Sequence, residues 1–190
     1  MLIEKNSSWR FYSEPINFDI SDLIEEIIAY KAEWDIDTSR QNLTDIHKDS
    51  KMFQIKFMSY FWSLGDKVFV QDVNSLKNEN SKKCLYKLFD IFEKHYDGKV
   101  VRCEVIGLLP GGSVAVHQDD GDFAKYARRI HVPILTNNNV FFTVMDETIN
   151  MKLGNWYEIN NVLDHSVKNE SDEKRIHIII DVLEKRYLNE

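Results

Sequence analysis

Cysteine is scarce in this chain of 190 residues, with two copies, as are proline with three and glycine with seven. Cys84 and Cys103 lie far apart and without CxxC spacing, which excludes a disulfide framework and a thiolate zinc site as organising devices. Sparse proline and glycine, beside 43% apolar and 12% aromatic residues, exclude a low-complexity or disordered chain, because this much apolar surface offsets the entropy of ordering. Cationic excess is missing too: 24 Lys and Arg stand against 31 Asp and Glu, a formal charge of −7. Nucleic-acid affinity rests on cations that release counterions from phosphates, so no nucleic-acid partner is expected. No apolar run approaches the ~20 residues that cross a bilayer. The opening MLIEKNSSWRF also lacks the basic-then-apolar order of a secretory signal. A cytoplasmic protein with no membrane partner is therefore expected. Internal repeats and linkers are absent, so residues 1–190 read as a single domain.

What is present begins with a helical stripe. Ile20, Leu23, Ile24, Ile27 and Ile28 recur at helical spacing within Asp19–Trp34, with Asp19 or Ser21 placed as N-cap. A second amphipathic helix is expected from about Ser81 to His95, burying Leu85, Leu88, Phe89 and Phe92 and stopping at Asp97-Gly98. Between them Met52 to Val70 reads as one or two strands with a turn near Gly65-Asp66, and Asn74 to Asn80 as a polar loop. From Lys99 the texture changes to short β-prone runs: Val100–Leu109, Val114–His117, Arg129–Leu135, Val140–Met145, Asn155–Ile159 and Arg175–Leu183. Turns are expected at Pro110-Gly111-Gly112, Asn137-Asn138-Asn139 and Lys168-Asn169-Glu170. Short strands at this spacing predict an α+β fold: a jelly roll with the helices on one outer face, residues 1–98 supporting a core at 99–183.

The strongest chemical signal is His117-Gln118-Asp119 after the Pro-Gly-Gly turn. Side chains at i and i+2 of a strand point the same way, so imidazole and carboxylate converge on one ion; the same parity favours Asp119 over its neighbour Asp120. His165 follows in Asp164-His165-Ser166-Val167. Two His and one carboxylate on one face of a metal leave positions open for co-substrate and O2, the facial triad of non-haem iron(II) oxygenases. The acidic run 119–122 also resembles a calcium loop, but it lacks the later glutamate, and His is a poor calcium ligand. In Arg175-Ile176-His177-Ile178-Ile179-Ile180-Asp181, period-two geometry puts Arg175, His177, Ile179 and Asp181 on one face. A guanidinium there needs a partner: either a dicarboxylate or a buried Asp or Glu in a structural ion pair. Arg129 and His131 repeat the same i, i+2 geometry, and a surface charge and a core histidine are the bland alternatives for them. His47 and His95 read as ordinary structural residues, and the aromatics Tyr60, Phe61, Trp62, Tyr126 and Trp156 read as core before pocket.

The stretch VRCEVIGLLPGGSVAVHQDDGDFAKYARRIHVPILTNNNVFFTV, followed by GNWYEINNVLDHSVKNESDEKRIHIIIDVL, resembles the aspartyl/asparaginyl β-hydroxylase family of 2-oxoglutarate-dependent oxygenases. The resemblance covers residues 100–183 and runs through PGG, HxD, RIHVP, G-x-W-x-x-x-N, HxV-x-N and RIH-x-x-x-D in order. It implies a double-stranded β-helix, cupin-like, with Fe(II) bound by His117, Asp119 and His165. It further implies 2-oxoglutarate gripped by Arg175, O2 as oxidant, and His131 and Arg129 in the co-substrate and substrate region. The implied activity is hydroxylation of an unactivated carbon of an amino-acid residue, in a peptide, protein or small molecule. Free amino-acid hydroxylation, for example of proline, is the second reading. A cupin-like binding module without oxidation is the third, against which the joint presence of the triad and Arg175 argues. Residues before 100 match no family pattern, and oligomeric state is left open.

Overall fold

The computed structural model describes residues 5, 8–29, 45–59, 61–73 and 76–189. Strand β1 (Phe11–Pro15) and helix α1 (Ser21–Ala29) come first, then β2 (Ser50–Phe57), β3 (Gln71–Asp72) and helix α2 (Glu79–Tyr96). The remaining elements are β4 (Gly98–Leu108), β5 (Ser113–His117), α3 (Gly121–Tyr126), β6 (Ala127–Leu135), β7 (Val140–Val144), β8 (Glu147–Ile149), β9 (Asn155–Ile159), β10 (His165–Asn169) and β11 (Arg175–Glu184). Successive strands from β4 onward are dealt to two sheets. The larger is ordered β1-β9-β6-β11-β4-β2-β3 and the smaller β5-β10-β7-β8. The eight strands β4–β11 thus divide as β9-β6-β11-β4 facing β5-β10-β7-β8, which is the double-stranded β-helix. The N-terminal strands β1, β2 and β3 widen the larger sheet at both edges.

Strand parity decides what lies inside the roll. On β11, Ile176, Ile178, Ile180 and Val182 face α1 and α2, joining Leu23, Ile27, Leu85, Leu88, Phe89 and Phe92 in the main core. The opposite face carries Arg175, His177, Ile179 and Asp181, as the alternation predicts; Ile179 packs there on Met52 and Ile106. A second core between the sheets gathers Leu108, Val140, Phe142, Val144, Tyr157, Ile159 and Val167. Both helices pack on the outer face of the larger sheet, with α1 against α2 and β6, and α2 against β4 and β11. Asp19 caps α1, accepting from the Ser21 N–H at 2.9 Å. The expected continuation of that helix to Trp34, and Tyr60 and Asn74, lie outside the described residues. At the end of α2, Asp97 takes the left-handed conformation with φ 45°. Gly98 then lets β4 close on β11, since a Cβ there would meet the Leu183 carbonyl oxygen at 2.6 Å.

Some elements depart from the sequence reading. Lys168 and Asn169 are strand rather than turn: Asn169 is fully buried, and its Nδ2 donates to the carbonyls of Leu109 and Glu173 at 3.0 and 2.7 Å. That anchor displaces the turn to the residues after it. The acidic run after His117 becomes the start of α3, with Asp120 at its N-cap position and exposed. Strands β1 and β8 were not anticipated, because short partly exposed segments gain strand character only from the neighbour they pair with.

Candidate metal and co-substrate site

His117 ends β5 and His165 opens β10, and the two are partners across these antiparallel strands. Their rings lie 4.2 Å apart between centroids. The pairing holds an irregularity: His165 and Val167 on β10 face His117 and Val114 on β5, so β5 carries one extra residue. This bulge turns His117 toward His165 while keeping Val114 in the inter-sheet core. Each imidazole has its Nδ1 bonded to a carbonyl, His117 to Ala115 at 2.8 Å and His165 to Leu163 at 2.9 Å. With Nδ1–H donating, both Nε2 lone pairs are left for a ligand. Asp119 completes the set, the ligand atoms of His117, Asp119 and His165 all lying within 4.8 Å of one another. Its approach differs from the strand-parity argument. β5 stops at His117, and Asp119 stands in the loop beyond, tied by its N–H to the Asn161 carbonyl at 3.0 Å.

The carboxylate is held electrostatically. Burial alone raises the Asp119 carboxyl, but Arg129, then His165 and the Asn161 amide, outweigh it and keep it well below the usual carboxylate range. Oδ2 accepts from Arg129 Nη1 and from Asn161 Nδ2, the latter at 2.9 Å. Asn161 Oδ1 in turn accepts from Lys5 Nζ, which also donates to the carbonyls of Ala124 and Ala127. Arg129 rests on Asp181, whose carboxylate it meets through Nε at 2.9 Å and Nη2 at 3.2 Å.

Deeper between the sheets lie Arg175, His131 and His177, each under 5% exposed. Arg175 Nη2 donates to His177 Nδ1 at 2.5 Å. Burial first, then the charge of Arg175, pushes both imidazoles well below their ordinary range, so both are neutral. His177 Nε2 and both nitrogens of His131 find no hydrogen-bond partner among the described residues. Buried polar atoms left so are costly and point to a polar guest. Phe142 links this floor to the His117, Asp119, His165 cluster, 5.2 Å from the His131 ring and stacked 6.3 Å from that of His165.

Comparison with known families bears on this arrangement. The profile of the aspartyl/asparaginyl β-hydroxylase family matches residues 23–185, so the family pattern reaches back through most of the residues before 100, where the sequence motifs show no match. The chain belongs to that family. It is accordingly a 2-oxoglutarate-dependent dioxygenase, using Fe(II), 2-oxoglutarate and O2. No curated protein matches the chain in a sequence comparison. Among solved structures, a 2-oxoglutarate/Fe(II) oxygenase family oxidoreductase from Burkholderia pseudomallei is 13% identical, with 93% of this chain and 95% of that one covered and a TM-score of 0.55. The viral collagen prolyl hydroxylase of Paramecium Bursaria Chlorella virus-1, in its 2-oxoglutarate complex, is 12% identical over 93% and 97% at a TM-score of 0.59. A Pseudomonas putida prolyl-4-hydroxylase is 9% identical over 94% and 95% at 0.58. At these identities the likeness is one of fold.

The residues of this family member fit its cofactors. Two imidazole nitrogens and one carboxylate oxygen suit Fe(II) as a facial set. A buried guanidinium flanked by two neutral imidazoles with unspent nitrogens suits a dicarboxylate. Several contributors were not singled out from the sequence. Asn161 and Lys5 carry no motif signal, and His47, set aside as ordinary, brings its ring edge-on to His117 at 5.3 Å. His95, by contrast, packs among Tyr12, Tyr96 and Trp156. Of the aromatics, Trp62 and Trp156 are core, Phe61 is 93% exposed, and Tyr126 lies on Tyr187. A cleft of about 470 Å³ opens beside His165, lined in part by Val116, Met145, Asp164 and Ser166, with the Arg10–Asp146 ion pair at its edge. Among the described residues no helix is long and apolar enough to cross a membrane.

Proposed function

We propose that this enzyme, as one domain over the whole chain and in the cytoplasm, hydroxylates an unactivated carbon of an amino-acid residue in a peptide or protein, in the manner of an aspartyl/asparaginyl β-hydroxylase. The observation that carries the reading is the pairing of a His117, Asp119, His165 cluster with a floor of buried Arg175, His131 and His177, in which both His131 nitrogens and His177 Nε2 have no hydrogen-bond partner among the described residues. His117 Nε2, His165 Nε2 and an Asp119 oxygen would hold the metal, and Arg175 the far carboxylate of 2-oxoglutarate. His131 and His177, kept neutral by burial, offer hydrogen bonds without competing with Arg175 for negative charge. Fe(II), when bound, would activate O2, the oxidant, with 2-oxoglutarate supplying two of the four electrons that O2 takes up and the substrate carbon the other two. The chain orients the reacting groups and excludes water, with Ile106, Leu108, Phe142 and Ile179 forming apolar walls. No protein base is needed at the carbon that is oxidised.

The test is anaerobic reconstitution with Fe(II), then exposure to O2 and 2-oxoglutarate with succinate followed by mass spectrometry. Succinate should form, and His165→Ala should abolish it. Turnover surviving that substitution would remove His165 from the metal. A panel of Asp- and Asn-containing peptides set beside free amino acids then identifies the substrate; hydroxylation of free proline alone would replace the peptide reading.

A further inference from the structure

Asp119 stands in the loop after β5, and one of its two carboxylate oxygens is already committed. Asp119 Oδ2 accepts from Arg129 Nη1 and from Asn161 Nδ2, while Oδ1 lies toward His117 Nε2, 3.8 Å away. The two donors come from separate elements, Arg129 from β6 and Asn161 from the loop after β9, and are themselves braced. Asn161 is 1% exposed and grips the loop a second time through its carbonyl, which accepts the Asp119 N–H. Arg129 has each of its three nitrogens engaged: Nη1 on Asp119, Nε and Nη2 on Asp181. Asp181 is 1% exposed, and its Oδ2 also takes Arg102 Nε at 2.7 Å and Nη2 at 2.6 Å. The register explains the assembly, because Arg102, Asp181 and Arg129 are direct partners across β4, β11 and β6.

We propose that Arg129 and Asn161 are positioning residues that restrict Asp119 to single-oxygen ligation of the metal, with Asp181 and Arg102 bracing Arg129 from the sheet. A carboxylate oxygen that accepts two N–H donors, one of them cationic, has little lone-pair density left to give a metal. Were Oδ2 released, the same side chain would chelate through both oxygens and fill a position that a dicarboxylate co-substrate and O2 must share. The guanidinium of Arg129 is thereby spent on the protein rather than on substrate. This assignment rests on the reading of His117, Asp119 and His165 as the metal site.

Cobalt(II) is the probe, because it reports coordination by its visible absorption without turnover. It is titrated by calorimetry and absorption into the full-length wild type, Asp119→Ala, Arg129→Gln, Arg129→Lys and Asn161→Ala, each checked for fold by circular dichroism. Loss of an outer partner of a metal ligand typically costs about 10–100-fold in metal affinity. Arg129→Gln and Asn161→Ala should each weaken Co(II) by about that factor and alter the intensity of its visible bands, with Arg129→Lys recovering part of the loss. Cobalt affinity within threefold of wild type, with unchanged bands, in both Arg129→Gln and Asn161→Ala overturns the proposal. So does a raised KM for the hydroxylated substrate with unchanged cobalt binding in Arg129→Gln, which would return Arg129 to substrate contact. Should Arg129→Gln fail to fold, Asn161→Ala decides, since it leaves the Arg129–Asp181–Arg102 bridge intact. Wild type that binds no Co(II), or Asp119→Ala that binds it as wild type does, would instead sink the metal-site reading itself.

Discussion

Replacing Asp181 by Asn changes one buried carboxylate into an amide of the same shape, and the structure says what that costs. Asp181 sits between two guanidinium groups, Arg102 and Arg129, and is 1% exposed. Its burial raises the carboxyl, but Arg102 and then Arg129 overcome this and hold it at about 2, against an ordinary 3.8. A folded-state value below the unfolded one stabilises the fold above the unfolded value and ceases to do so as pH falls through the folded one. A shift of this size corresponds to about 2 kcal/mol, lost between about pH 4 and pH 2. At neutral pH the Asn variant loses more than this linkage figure, because buried Arg102 and partly buried Arg129 are left with Glu104 and Asp119 as acidic neighbours. Breaking a buried pair from one side costs about 3–5 kcal/mol. For a chain of this size that lowers Tm by roughly 10 °C. Urea unfolding of wild type and Asp181→Asn at pH 7, 4 and 2.5 checks both numbers. The variant should be several kcal/mol weaker at pH 7, and the gap should narrow at the acid end, where wild type loses what the variant never had. A cost under 1 kcal/mol at pH 7, or a gap that stays constant down to pH 2.5, would refute the reasoning.

Arg175→Met keeps the aliphatic stem and removes the guanidinium; calorimetry of 2-oxoglutarate into Mn(II)-loaded protein should show affinity reduced about a hundredfold, in line with the ~2–5 kcal/mol of a buried charge pair truncated on one side. An affinity within threefold of wild type would take Arg175 out of the co-substrate site. Gly98→Ala places a methyl 2.6 Å from the Leu183 carbonyl oxygen and 2.8 Å from Val182 Cγ1, at the point where β4 meets β11. Overpacking of this kind costs ~1–3 kcal/mol. Thermal unfolding should register it, and an unchanged Tm would show that the strand pair yields at no cost.

The fold was legible wherever a periodic pattern had a single solution. On β11, the alternation of Ile176, Ile178 and Ile180 with Arg175, His177 and Asp181 announced both the strand and its polar inner face, and the helices bury that apolar row. The helical stripe of Leu85, Leu88, Phe89 and Phe92 was equally plain. Where a segment owes its structure to its neighbours, the pattern was silent. Asn169 looked like a turn residue because asparagine is at home in turns; three-dimensional contact with Leu109 and Glu173 made it strand. Asp119 was singled out by strand parity, but β5 stops two residues before it, so its place beside His117 and His165 comes from a bulge and from Asn161.

By itself the sequence determined a folded, acidic chain with few cysteines, the α+β class, the inward face of β11, and the order of His117, Asp119, His165 and Arg175, from which the family follows. These are local properties, written in composition, in periods of 2 and 3.6, and in motif spacing. Only the tertiary structure decided that Arg129 serves Asp119 and Asp181 at once, that Asn161 and Lys5 stand behind the carboxylate, and that His47 lies against His117. The physical reason is that a buried ion pair or an amide donor is specified by register across strands such as β4, β11 and β6, and by loops brought together from residues more than a hundred positions apart. Neither relation has a period that a single chain can display.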